Sequence, residues 1–235
     1  MKLTDVLVET LICEGVYDPS IFKAIFIIGG IGSGKSYVTD RATKGLGFKL
    51  VDPDVPFELL LKRYNVSLKS NDSSDPQWNS LRDRGMHVND YMLRKYLDGR
   101  LGLIITGTGH NYEKLATKKR MLDAAGYDTF MIFVNASLGV TLDRNRKRER
   151  SIPDDVVIEK WQHIYQNLAK YKLLLGADNF EIVDTSEGTT QETLDKIWMD
   201  IKKFTERPIR NPIAREWIQQ QLHNKRQSPF SGDVR

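Results

Sequence analysis

Residues Lys23 to Ile28 form a largely continuous run of β-branched and aromatic residues that leads straight into Gly29-Gly30-Ile31-Gly32-Ser33-Gly34-Lys35-Ser36. Such a run, closed by glycine, is expected of a strand buried on both faces of a parallel sheet. The glycine-rich stretch matches G-x-x-x-x-G-K-[ST] at every constrained position, and a helix is predicted to follow over 34–44. Strand, glycine turn and helix in this order are the setting in which the pattern holds phosphate. The glycines let backbone N–H groups turn inward without a Cβ in the way, and the helix N-terminus adds partial positive charge. The stretch from Gly29 to Ser36, with Tyr37 next to it, is therefore read as a nucleoside triphosphate cradle. Lys35 is assigned to the β- and γ-phosphates and the Ser36 hydroxyl to Mg²⁺.

Four more short apolar strands are predicted, over 48–51, 101–105, 129–134 and 180–183. Helices alternate with them. One is marked by Phe57, Leu60, Leu61 and Tyr64 and starts near Pro56; others span 81–97, 112–125, 138–148, 154–175 and 190–204. This alternation predicts an α/β fold: a doubly wound, mainly parallel five-stranded sheet flanked by helices. Residues Ser67 to Ser80, rich in Ser, Asn and Asp, read as a loop in which Trp78 is free to stack on a base. Trp161 shares helical spacing with Ile158, Ile164, Tyr165 and Leu168 and is expected in the core.

Leu3, Val6, Leu7, Leu11 and Ile12 predict a short helix, which sets an N-terminal segment (1–22) ahead of the principal domain (23–206). Pro208 and Pro212 mark the end of that domain and the start of a basic tail (207–235). From Glu206 onward six Lys or Arg face three acids, which accounts for +3 of the net charge of +4. In the tail, Ile213, Trp217, Ile218 and Leu222 predict a helix that docks back on the domain or meets a protein partner. Residues beyond Lys225 are expected to fray.

Composition excludes several classes. With 40% hydrophobic and 28% charged residues in 235, the chain is neither disordered throughout nor collagen-like. Its longest apolar stretch is far below the roughly 20 residues that cross a bilayer. Met1 precedes a mixed acidic and apolar stretch rather than a secretion signal, and the single Cys13 forms no internal disulfide, so a cytoplasmic protein is expected.

Three further segments carry chemistry. Asp52-Pro53-Asp54 follows the second strand, at the strand end where open α/β sheets bind ligands. A carboxylate there is suited to take a proton from an acceptor hydroxyl or to assist a metal, and its plainer role is to cap the next helix. Arg144 to Arg150 holds five basic residues and one acid, and arginines folded over a phosphoryl group stabilise its charge. If both Arg144 and Arg150 point inward, the helix must break between them. Thr106 ends the third strand, where many enzymes with this cradle place a metal-binding acid, and Thr108 and His110 lie close behind.

In combination these motifs resemble the zeta-toxin and polynucleotide-kinase branch of the P-loop kinases. The resemblance rests on the cradle, Val51-Asp52-Pro53-Asp54-Val55-Pro56-Phe57, Ile105-Thr106-Gly107-Thr108-Gly109-His110, Ala125-Gly126-Tyr127-Asp128-Thr129, and Arg144 and Arg150 before Ile152-Pro153, and covers roughly 22–184. It implies an ATP- and Mg²⁺-dependent kinase with Asp54 as general base, Arg144 and Arg150 closing over the transferred group, and Ser36 and Asp52 at the metal. Asp52, Thr106, Thr108 and His110 would face the acceptor. Thr106 departs from the zeta-toxin pattern, which has an acid before G-T-G that helps bind a sugar nucleotide. The expected acceptor is therefore a nucleotide or nucleic-acid hydroxyl, with a sugar nucleotide or another small molecule as the alternative. A non-catalytic ATP-binding switch is the rival of a different kind.

Overall fold

A chain that alternates apolar strands with amphipathic helices has two sheet faces to cover, and here both are covered. The computed structural model describes residues 15–67 and 75–227. Its strands are β1 (Lys23–Gly29), β2 (Lys49–Val51), β3 (Leu103–Gly107), β4 (Asp128–Asn135) and β5 (Phe180–Asp184). They pair in the order β2-β3-β1-β4-β5, every neighbour parallel. The helices are α1 (Lys35–Ala42), α2 (Asp54–Arg63), α3 (Pro76–Asp98), α4 (Tyr112–Ala124), α5 (Leu138–Arg146), α6 (Asp154–Leu175), α7 (Gln191–Glu206) and α8 (Pro212–Gln227). A single 3₁₀ turn, Ala177–Asn179, leads into β5. This is the P-loop kinase fold that the sequence predicts, with a wholly parallel sheet.

β1 is buried along its whole length, and its side chains alternate between two cores. Phe26 and Ile28 join Leu103, Ile105, Met131 and Phe133 against Ile164 and Tyr171 of α6. Ile25 and Ile27 join Ile104, Ile132 and Val134 against Val38 of α1 and Ile197, Ile201 and Phe204 of α7. Burial on both faces is why the strand has no polar alternation. Each such side chain contributes about 1.5–3 kcal/mol on leaving water. The same first core receives α8: Ala214 is fully buried, and Trp217 packs edge-on against Phe22 at 5.5 Å.

Sequence and structure differ at three places. The predicted loop over 67–80 is too long, because α3 starts at Pro76, with Asp75 as its cap accepting from the N–H groups of Gln77 and Trp78. Aspartate followed by proline is a strong helix start, and the polar run before it hid that signal. Trp78 therefore does not project for base stacking: it is 8% exposed and meets Phe57 edge-on at 5.0 Å, in a small core shared by α2 and α3. α2 starts at Asp54, ahead of Pro56. The helix predicted from Leu3 to Ile12, Cys13 and the last eight residues lie outside the described residues. Among the described residues, no helix is long and apolar enough to cross a membrane.

Candidate nucleotide-binding and phosphoryl-transfer site

β1 is the central strand, so the glycine-rich turn leaves the sheet at the middle of its carboxyl edge, where parallel sheets bind ligands. The turn fits tightly against its neighbours. A Cβ on Gly29 would lie 2.3 Å from the carbonyl oxygen of Val134 on β4. Gly32 adopts φ +80°, and a Cβ there would meet the Thr141 carbonyl of α5 at 2.6 Å. Both positions therefore exclude any side chain. Gly34, also left-handed, caps α1 with no side-chain bond, which leaves the first amides of that helix for a ligand.

Lys35 curls back over the turn, its Nζ donating to the carbonyls of Gly29 and Gly30, each at 2.8 Å. Burial, and after it the charge of Arg148, bring its ammonium down to about 8, while Asp52 and Asp54 act in the opposite sense. The Ser33 hydroxyl is buried in the cradle and has no hydrogen-bond partner among the described residues. An ammonium held only by two main-chain carbonyls, a buried hydroxyl and helix amides with no side-chain cap form a donor set suited to a phosphate group. Ser36 begins the helix beside them. Among the described residues no group of three or more His, Cys, Asp or Glu side chains is arranged as a metal cage. Near Lys35 the oxygen-bearing side chains include the Ser36 hydroxyl, next in the chain, and the Asp52 and Asp54 carboxylates, a hard-oxygen set that fits Mg²⁺, an ion that takes few protein oxygens and completes its shell with phosphate and water. Tyr37 is turned outward under the Arg41 guanidinium, so its side chain does not enter the cradle.

Thr185, just past β5, ties the floor together. Its hydroxyl donates to the carbonyls of Ser33 (2.7 Å) and Asn135 (3.0 Å). Arg144 donates to that hydroxyl through Nη1 at 3.1 Å and to the Thr185 carbonyl through Nη2 at 2.7 Å. This places Arg144 beside Gly34, at the mouth of the cradle.

The acid pair stands at the tip of β2. Asp52 Oδ1 accepts from the Asp54 N–H at 2.9 Å and so closes the turn that starts α2. Asp54 is 59% exposed, and Arg150 Nη2 donates to its Oδ1 at 2.9 Å. The same guanidinium reaches Glu58 at 3.7 Å and lies over the Phe57 ring. Two residues 96 positions apart thus meet at the edge of the cradle.

The helix break expected between Arg144 and Arg150 is present: α5 stops at Arg146, and the chain turns through 147–153 before α6. Asn145, fully buried, holds this loop at its base by donating to the Ile152 carbonyl (2.6 Å) and accepting from the Ile152 N–H (3.1 Å). Arg146 pairs with Asp154 across the same base.

Thr106 lies near the end of β3, with Thr108 and His110 just past it; Thr108 and His110 bond to each other, and the chain at 109–110 is bonded to α6. Thr108 Oγ1 lies 2.5 Å from His110 Nδ1. Asn167 donates to the His110 carbonyl, and the Tyr171 hydroxyl, pushed up to about 12 by burial, donates to the Gly109 carbonyl at 2.6 Å. Burial also pulls His110 below the ordinary histidine value, with Lys160, His163 and Lys114 adding in the same direction. Its ring is therefore neutral at neutral pH.

Sequence reasoning missed four contributors. Thr185 was legible as a polar residue directly after the fifth strand, at the same sheet edge. Asn145 and Arg148 sat unremarked inside the basic stretch. Trp161, expected in the core, is only half-buried: its Nε1 donates to the Ala136 carbonyl at 3.1 Å, and its ring borders Gly30. Aromatic spacing alone cannot separate a core position from one facing a glycine turn.

Comparison with known proteins agrees with this fold. A crystal structure of a candidate kinase from Chloroflexus aurantiacus is 15% identical with a TM-score of 0.53, covering 77% of this chain and 97% of its own. The PezAT chromosomal toxin-antitoxin system of Streptococcus pneumoniae is 18% identical with a TM-score of 0.51, covering 96% of each chain. At these identities the likeness is one of fold. No curated protein sequence matches the chain. Residues 25–171, well over half of the chain and the stretch that carries the cradle, the acid pair and the arginine loop, match the family described as an AAA domain, and the chain belongs to that family.

Proposed function

We propose that the protein is a kinase that uses ATP and Mg²⁺ to phosphorylate a hydroxyl of a nucleotide or nucleic-acid acceptor. The observation that carries this reading is the meeting of Arg150 and Asp54 beside the Lys35 cradle, which brings a base and a charge stabiliser to one point. In the proposed reaction Lys35 releases the Gly29 and Gly30 carbonyls and takes the β- and γ-phosphates. The Ser36 hydroxyl and Asp52 would hold the metal, which supplies charge neutralisation at the phosphates. Arrival of the triphosphate draws Arg150 off Asp54 and onto the γ-phosphoryl oxygens, and Arg144 follows at the mouth of the cradle. Asp54, now free, accepts the proton of the acceptor hydroxyl as its oxygen bonds to the γ-phosphorus. The bond from that phosphorus to the β–γ bridging oxygen breaks, and ADP leaves.

The preference for a nucleotide or nucleic-acid acceptor rests on charge. Lys114, Lys160 and Arg148 stand around the His110 and Lys35 side of the site, which favours an anionic acceptor. Thr106 at the tip of β3, where an acid would assist a sugar nucleotide, points the same way. A second reading, a nucleotide-binding switch without transfer, is favoured by the same Arg150–Asp54 pair, since it leaves the base occupied. Incubation with labelled ATP and panels of oligonucleotides, nucleosides and sugar nucleotides separates the two. Label in a single acceptor class, lost in Asp54→Asn, supports the kinase. ATP bound tightly and transferred to nothing supports the switch.

A further inference from the structure

The amino edge of the sheet, opposite the cradle, holds a second cluster of cations. Lys23 opens β1 and is only 1% exposed; its Nζ donates to Asp128 Oδ2 at 3.2 Å and to the Arg207 carbonyl at 2.9 Å. Beside it lies a cavity of about 300 Å³ between the end of α4, the start of β4 and the chain that joins α7 to α8. Leu175, Tyr127 and Phe204 give it an apolar wall. That volume sits at the low end of small-molecule sites.

The charges around this cavity do not balance. Lys119 is held by both oxygens of Asp123, at 2.9 and 2.7 Å, and Lys23 has Asp128. Arg207 and Arg210 also line the cavity, and among the described residues neither has a carboxylate within 4 Å. Arg207 stacks on Phe204 at 5.2 Å and spends one donor on Asn179. The side chain of Arg210 forms no hydrogen bond among the described residues, while its backbone N–H is fixed on Asp128. Two guanidinium forks with open donors thus share one recess with an aromatic wall.

Guanidinium pairs match phosphate oxygens bidentately, and a phosphate monoester, close to a dianion at neutral pH, neutralises both arginines at once. A monocarboxylate would leave one charge over. The organic group of the ester has Phe204, Tyr127 and Leu175 to lie against. We propose that this cavity, lined by Arg207 and Arg210, binds a small phosphate monoester at a site distinct from the cradle. The seven residues of β1 put about 20 Å between the two sites.

The test uses the full chain carrying Lys35→Ala, which removes the main phosphate ligand of the cradle, with ribose 5-phosphate as probe in calorimetric titration at low salt. Saturable one-to-one binding is expected, with no heat from ribose. Adding Arg210→Gln should weaken binding by about tenfold or more, the loss of one charge-assisted pair, while the Tm without ligand stays unchanged. Arg207→Gln should weaken it further; if that variant folds poorly, the exposed Arg210 decides alone. Three results would overturn the proposal: binding that disappears with Lys35→Ala alone, binding indifferent to Arg210→Gln, or inorganic phosphate bound as tightly as the ester, which removes the role of the apolar wall.

Discussion

The floor of the site and the arginine loop above it are built from different interactions. The floor is made of main-chain carbonyls, glycines without room for a Cβ, and the buried Thr185 hydroxyl that joins Ser33, Asn135 and Arg144. The loop over 147–153 and its flanks are fixed at the base by buried Asn145, and above it by ion pairs in which at least one partner is exposed: Arg150 with Asp54 and Glu58, Arg146 with Asp154, Lys147 with Asp143. Exposed pairs of this kind contribute about 0–1 kcal/mol each and weaken with salt. In the proposed reaction a triphosphate competes with them, whereas in the floor only the side chains of Lys35 and Arg144 have to turn and the main chain stays in place. One half of the site is thus set before the ligand arrives, and the other half answers to its charge.

Substitutions test this contrast in order of expected size. Asp54→Asn should lower the proposed phosphoryl transfer by about 10²–10⁴-fold, the usual weight of a general base, in a steady-state assay with whichever acceptor the labelled-ATP panel identifies. ATP affinity should be unchanged or slightly higher, because Arg150 loses its carboxylate; a large loss of ATP affinity would mean that Asp54 belongs to the floor. Thr185→Val should lower stability by about 1–3 kcal/mol in urea titration, since it removes the hydroxyl that serves the buried Ser33 carbonyl and receives Arg144 Nη1, while Asn135 keeps the Thr185 N–H.

The third test is pH. Lys35 is charged below about 8 and neutral above it, and only the charged form attracts phosphate. ATP affinity should therefore fall as pH rises through 8, by up to about tenfold per unit, and calorimetry in buffers of different ionisation enthalpy should show proton uptake on binding there. The same group binds fewer protons folded than unfolded between about 8 and its ordinary value of 10.5, so its contribution to stability rises with pH across that window. The smallest effect is expected for Arg146→Ala: under about 1 kcal/mol in the same urea titration, and less at high salt. A loss as large as that of Thr185→Val would erase the distinction between floor and loop.

Much of this molecule was legible in the sequence because its signals are local. The buried strand and the G-x-x-x-x-G-K-[ST] turn constrain backbone and chemistry within fourteen consecutive residues, and the alternation of strands and helices gives the sheet directly. Asp54 and Arg150 could be named one at a time, yet their meeting depends on the path of α2 and the loop base, which no spacing encodes. The start of α3 was obscured because Asp75-Pro76 sits in a polar run that resembles loop. Thr185 and Arg148 were missed for the same reason as Trp161: their roles come from neighbours distant in the chain. The cavity that Arg207 and Arg210 line is walled by residues from four distant parts of the chain, and in sequence those arginines read as part of a solvated tail.

The Asn145–Ile152 clasp lets the loop vary while the sheet stays as it is. Both of its bonds use the main chain of residue 152, so the neck of the loop stays pinned whatever side chains lie between the two ends. Closing a longer loop adds little entropy cost, about 0.6 kcal/mol for each doubling of length. Residues inside the neck can therefore be exchanged or multiplied with little strain on the sheet, and a lineage could rewrite this one short segment while keeping the cradle beneath it.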